Sequence, residues 1–130
     1  MTLLLILIAG GVGSLLRYLL TVAMMRWLAG GFPYGTLAVN VIGCLAIGAL
    51  GCLFKLHPTV KHAVPEPYQL ALIFGLLGGF TTFSSFGYDT LKLIQDQRFA
   101  LAGTNIVVSN VLGLLAVWVG YALASKMTGG

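Results

Sequence analysis

The run GGFTTFSSF, residues 78–86, gathers more chemistry than any other stretch of this chain. Thr81, Thr82, Ser84 and Ser85 are interleaved with Phe80, Phe83 and Phe86, which recur every three residues. A phenyl ring has a negative face and a positive edge. Rings presented edge-on can receive a small anion that sheds part of its water, and the hydroxyls can complete its donor set. The same ring spacing also serves plain helix packing. A cation needs acceptors instead, and the backbone carbonyls of residues 78–81 supply them if the helix breaks there. Both kinds of ligand can coexist in one stretch.

Four polar residues elsewhere carry comparable questions. Arg17, in GGVGSLLRY (residues 10–18), is the one formal charge deep inside an apolar stretch. It is either an anchor that snorkels to the interface or a group that concentrates anions at a pore mouth. It is no proton carrier, because guanidinium stays charged. Asn40, in GTLAVNVIG (residues 35–43), can donate two hydrogen bonds to an anion or clamp a neighbouring helix. Asn110 poses the same choice, with packing as the simpler reading. Asp89 reads first as a solvated helix-end charge and second as a vestibule group.

The elements that hold these residues follow from composition. Of 130 residues, 58% are hydrophobic and 8% charged, and the mean hydropathy is +0.99. A soluble domain carries about 25% charged residues. The chain therefore reads as an all-α integral membrane protein, a single transmembrane domain over residues 1–130. Four apolar stretches, about 3–25, 32–54, 68–94 and 99–125, each exceed the roughly 20 residues that cross about 30 Å of hydrocarbon. No residues remain for an ATPase or sensor domain. The first stretch lacks a basic n-region and reads as a helix rather than a signal peptide.

The third stretch contains the glycine- and hydroxyl-rich run. Irregular backbone at membrane depth must be buried in protein or line a wet path. The expectation is a third helix broken mid-membrane, and a transport function centred on residues 78–86. Small residues recur at four-residue spacing: Gly10 and Ser14, Cys44 and Gly48, Gly75 and Gly79, Ser109 and Gly113. Such spacing lets backbones approach closely, within a subunit or between subunits.

Other chemistry is poorly supported. Cys44 and Cys52 stand about 12 Å apart along a helix, too far for a disulfide, and read as packing residues. His57 and His62 read as solvated loop residues. No GxSxG, HExxH or Walker loop occurs, so the chain is not expected to be an enzyme. No basic patch suggests nucleic acid. Lys55, Lys61 and Lys126 lie on one expected side of the membrane, and Arg26, Lys92 and Arg98, in loops 26–31 and 89–98, on the other. The positive-inside rule finds no bias here. Insertion in both orientations is expected, giving an antiparallel homodimer that mimics an inverted-repeat transporter.

GGVGSLLRY, GTLAVNVIG and GGFTTFSSF, in this order, resemble the Fluc/CrcB fluoride channel family over essentially the whole chain. The resemblance implies a dual-topology antiparallel homodimer with four helices per subunit. It implies two fluoride pores, passive export of fluoride across the inner (plasma) membrane, and a structural Na+ at the dimer centre. By the same resemblance Asn40, Phe83 and Phe86 line the fluoride pathway, and Thr36, Ser84 and Ser85 lie near a polar track. Asn110 occupies a position that is polar in relatives, while Leu114 stands where some relatives have serine. Arg17 and Asp89 match electrostatic and vestibule positions. Gly78 and Thr81 match positions whose backbone carbonyls bind Na+. The implied partners are fluoride, a second copy of the chain and the lipid bilayer. The closest rival is a small multidrug-resistance-like, proton-coupled cation exporter, which relies on a glutamate in its first helix. Residues 3–25 contain no acidic residue.

Overall fold

A computed structural model describes residues 1–129. They form α1 (Thr2–Trp27), α2 (Tyr34–Leu56), α3 (Pro58–Ala63), α4 (Glu66–Leu70), a π-helical segment (Ala71–Leu77), α5 (Gly78–Phe80), α6 (Phe83–Gln95) and α7 (Phe99–Met127). Four helical spans among the described residues are long and apolar enough to cross a membrane: α1, α2, the composite Glu66–Gln95, and α7.

Local chemistry sets the boundaries. α1 and α2 are joined through Gly30 and Gly31, both at positive φ, a conformation in which glycine has no Cβ to clash. Pro58 and Pro67 stand in the first turns of α3 and α4, where a missing N–H costs nothing. α6 closes on Gln97 at φ 57°, and the Arg98 N–H donates to the Leu93 carbonyl at 2.8 Å. That is a Schellman-type cap with glutamine where glycine is usual.

Two helix pairs make the body of the subunit. α1 packs along the third span, and α2 packs along α7. A Cβ on Gly79 would run into the Gly10 carbonyl, and one on Gly120 into the Leu45 carbonyl. The small-residue spacing thus serves contacts within the subunit, where close backbone approach drives association in lipid. The core is thin and built of small side chains such as Ala102, Ala116 and Ala124, with Val39 and Cys52 at its centre. Large apolar residues point outward instead: Trp27 is 85% exposed and Trp118 68%. Apolar surface on this scale needs a bilayer or a partner to cover it.

Three expectations need correction. Residues 89–98 are not a loop, because α6 stays helical to Gln95 and carries Asp89 and Lys92 on its flank. The 55–67 connection is largely helical. His57 is half-buried at the kink between α2 and α3, and its buried Nδ1 has no hydrogen-bond partner; only His62 is exposed as expected.

Candidate functional site

The third span changes backbone geometry twice before it breaks. Its π-helical segment widens the turn ahead of Gly78, a feature frequent at functional sites. α5 then stops after Phe80, and Thr81 and Thr82 are extended, with φ/ψ of −83°/156° and −153°/115°. Helix resumes at Phe83, with the Thr82 hydroxyl accepting from the Ser85 N–H at 3.1 Å. This is an ordinary threonine N-cap.

Asn40 holds the break open. Its Nδ2 donates to the Thr82 carbonyl at 2.9 Å, and its Oδ1 accepts from the Thr82 N–H at 2.7 Å. The side chain therefore pairs with one residue's backbone as a strand would. One Asn40 N–H is left beyond this pair. Clamp and donor, opened as alternatives from the residue type, are compatible in this geometry.

The clamp has a consequence for the carbonyls upstream. In an unbroken helix the Thr82 N–H would bond the Gly78 carbonyl, and the Ser85 N–H the Thr81 carbonyl. Here those donors go to Asn40 Oδ1 and Thr82 Oγ1 instead. The Gly78 and Thr81 carbonyls, three residues apart, are thereby released from the helical ladder, and Gly78 is exposed. On the far side of the break, the first turn of α6 presents unpaired N–H groups and the positive end of its dipole. The break thus offers acceptors on one side and donors on the other.

A groove of about 470 Å³ runs past this break, lined among others by Asn40, Gly78, Thr81, Phe83, Phe86 and Asn110. The Phe83 and Phe86 rings lie 5.5 Å apart at 43°. Phe83 is 82% exposed. Asn110 is exposed, but its Nδ2 donates to the Ile106 carbonyl of its own helix at 2.7 Å. Ser84 and Ser85 turn back to the Thr82 hydroxyl at 3.2 and 3.1 Å, so they brace the cap rather than line the groove.

Thr36 and Asp89 sit elsewhere. The Thr36 hydroxyl donates to Asp89 Oδ2 at 2.6 Å. The pair lines a second cavity of about 410 Å³ with Lys92, Asp96, Arg98 and the 28–33 connection. Asp89 is therefore a half-buried, hydrogen-bonded carboxylate, which corrects its reading as a solvated helix-end charge. The Arg98 guanidinium ties this cavity's rim by donating to the Gly30 carbonyl at 2.8 Å. Arg17 is half-buried and lines neither cavity.

Two polar positions escaped the reading of the sequence: the backbone of Thr82 and the side chain of Asn105. Asn105 is 1% exposed and hydrogen-bonded to Thr90 and Ser109. The signal was present in the small-residue stripe of α7. Ala102, Asn105, Gly113, Ala116, Gly120 and Ala124 are its buried positions, in helical phase with one another. Asn110 is out of that phase.

Fold and site together define a small helical membrane protein whose third span is interrupted by a side-chain clamp beside an aromatic groove. Residues 4–121 match the family described as CrcB-like protein, Camphor Resistance (CrcB), and the chain belongs to that family. It is 44% identical over 124 residues to the fluoride-specific ion channel FluC of Solibacter usitatus, covering 95% of this chain and 98% of that protein. It is 39% identical over 127 residues to the protein of that name from Geobacter metallireducens, covering 98% and 99%. The Helicobacter pylori (strain Shi470) protein of the same name is 40% identical over 124 residues, covering 94% and 92%.

Proposed function

We propose that this chain is a fluoride-selective passive ion channel that releases F− from the cytoplasm across the inner (plasma) membrane. The observation that carries the reading is the Asn40-clamped break beside the Phe83–Phe86 pair. Near-full-length kinship with proteins named for fluoride conduction supports it. Fluoride is small and tightly hydrated, so several donors must replace its water at once. An amide N–H, helix-terminal N–H groups and ring edges do so without a fixed positive charge, which would hold the ion too firmly to let it leave. A negative interior drives the anion outward, with about 2.3 kcal/mol gained per charge for each 100 mV. Fluoride that arrives as neutral HF and ionises inside is thereby removed without energy coupling.

A single subunit leaves the groove open along one side, and the balance of basic residues gives no preferred orientation. Both features support an antiparallel homodimer of oppositely inserted copies, which would close the groove with its own equivalent. The Gly78 and Thr81 carbonyls, released from the helical ladder, fit an oxygen-liganded cation. Those of two copies around the dimer axis would hold a structural Na+, which supplies only a fixed charge and cross-links the two breaks.

The test is fluoride release from proteoliposomes of the purified protein, followed with a fluoride electrode after valinomycin sets the voltage. Rapid fluoride release without chloride release is the expected result. Folded protein that releases neither ion would overturn the reading.

A further inference from the structure

α6 carries Phe86 in the groove and Asp89 in the second cavity, yet it packs lightly on its own subunit. It meets α7 over a short stretch and barely touches α2. A helix so sparsely packed is free to turn about its axis unless polar bonds hold it. Two such links come from α2, the paired bonds of Asn40 with Thr82 and the single bond of Thr36 to Asp89. The third comes from α7, and it is the most deeply buried.

Asn105 Nδ2 donates to Thr90 Oγ1 at 3.0 Å, and Thr90 Oγ1 donates to the Phe86 carbonyl at 2.8 Å. Ser109 Oγ donates to Asn105 Oδ1 at 3.2 Å from the wall of the groove. The chain of bonds has a definite direction. The Thr90 hydroxyl has one hydrogen, spent on Phe86, and an acceptor lone pair, filled by Asn105. Asn105 is 1% exposed and Thr90 8%, and buried polar groups hold their partners because losing one is costly. Thr90 lies one helical turn from Phe86 and next to Asp89 in sequence. Any turn of α6 at Thr90 therefore swings the ring and the carboxylate together.

We propose that Asn105 is a positioning residue for the ion pathway. Through Thr90 it fixes the rotation of α6 and so holds the Phe86 ring edge in the groove. This rests on the channel reading given above. Asn105 acts without touching the ion, and its partner Thr90 is the lever.

The test compares fluoride efflux from proteoliposomes of wild type, Thr90→Val, Thr90→Ser, Asn105→Leu, Phe86→Ile and the Thr90→Val/Phe86→Ile double variant. Valine keeps the shape of threonine and removes the hydroxyl; serine keeps the hydroxyl. Thr90→Val and Asn105→Leu are expected to slow efflux about tenfold or more, while Thr90→Ser stays within about twofold of wild type. In the Phe86→Ile background, Thr90→Val should add no further loss, because both changes act on one ring. A purely cohesive role would lower the melting temperature and leave the two losses multiplicative. Folded Thr90→Val protein with wild-type efflux overturns the proposal, as does a multiplicative loss in the double variant. Should Asn105→Leu fail to fold, the Thr90 series decides alone. Wild-type vesicles that release no fluoride would remove the channel reading and this one with it. Wild-type release with an unaffected Thr90→Val variant removes only this one.

Discussion

Asn40 clamps the break and still has an N–H to donate, so the two tasks that residue type left as alternatives are compatible. Its amide spends one donor and one acceptor on the Thr82 backbone and keeps one N–H in reserve. Asn40→Ala is expected to strand the Thr82 N–H and carbonyl, at a cost of about 1–3 kcal/mol. Thermal unfolding in detergent checks the loss, and fluoride efflux should fall to background. The phenylalanines behave differently. Phe83 is mostly exposed, so Phe83→Ile removes little packing within the subunit. Phe83→Ile and Phe86→Ile should keep the melting temperature of wild type while slowing fluoride efflux about tenfold. Unchanged flux in both folded variants would mean that the ring edges are not ligands.

At the scale of elements, the third span shows what the sequence discloses and what it withholds. A weak point was legible in Gly78, Gly79 and the hydroxyls. What holds it was not: the chain breaks at Thr81 and Thr82, inside the expected run, because Asn40 of another helix captures the Thr82 backbone, a contact between residues 42 positions apart. The π-helical register over Ala71–Leu77 has no side-chain signature to read. Asp89 was misplaced because the charges of 89–98 imitate a loop, whereas α6 simply runs on and turns them along its flank. On α7 the polar letter at 110 drew the eye, while the phase of the small residues pointed to Asn105. Helix packing gives two direct checks. Gly79→Val should force α1 away from the third span and destabilise the fold by about 1–3 kcal/mol. Gln97→Gly should relieve the left-handed residue that caps α6 and stabilise it by about 1 kcal/mol. Melting temperatures of the purified variants should move in opposite directions.

At the scale of the whole molecule, the exposed apolar girdle and the one-sided groove both ask for surroundings that a lone subunit lacks. With the six basic residues other than Arg17 divided three to three, and Arg17 inside α1, the chain should insert in both orientations, and cysteine-labelling of the C-terminus in intact cells should reach about half of it. A variant with Thr59→Lys and Glu66→Lys should insert one way only and lose function alone. It should regain function when co-produced with an oppositely biased Asp96→Lys/Gln97→Lys variant. Labelling of wild type confined to one side would contradict the antiparallel pairing.

The central claim is that fluoride crosses by itself, down its own gradient. The most direct measurement is the voltage at which current reverses across a planar bilayer holding the protein, with a tenfold fluoride gradient, equal chloride on both sides and equal pH. A passive, selective channel reverses near the fluoride equilibrium potential, about 59 mV in magnitude for a monovalent ion, and stays there when both sides are brought to a new common pH. Reversal near zero, or current that vanishes unless a proton gradient is imposed, would contradict the account.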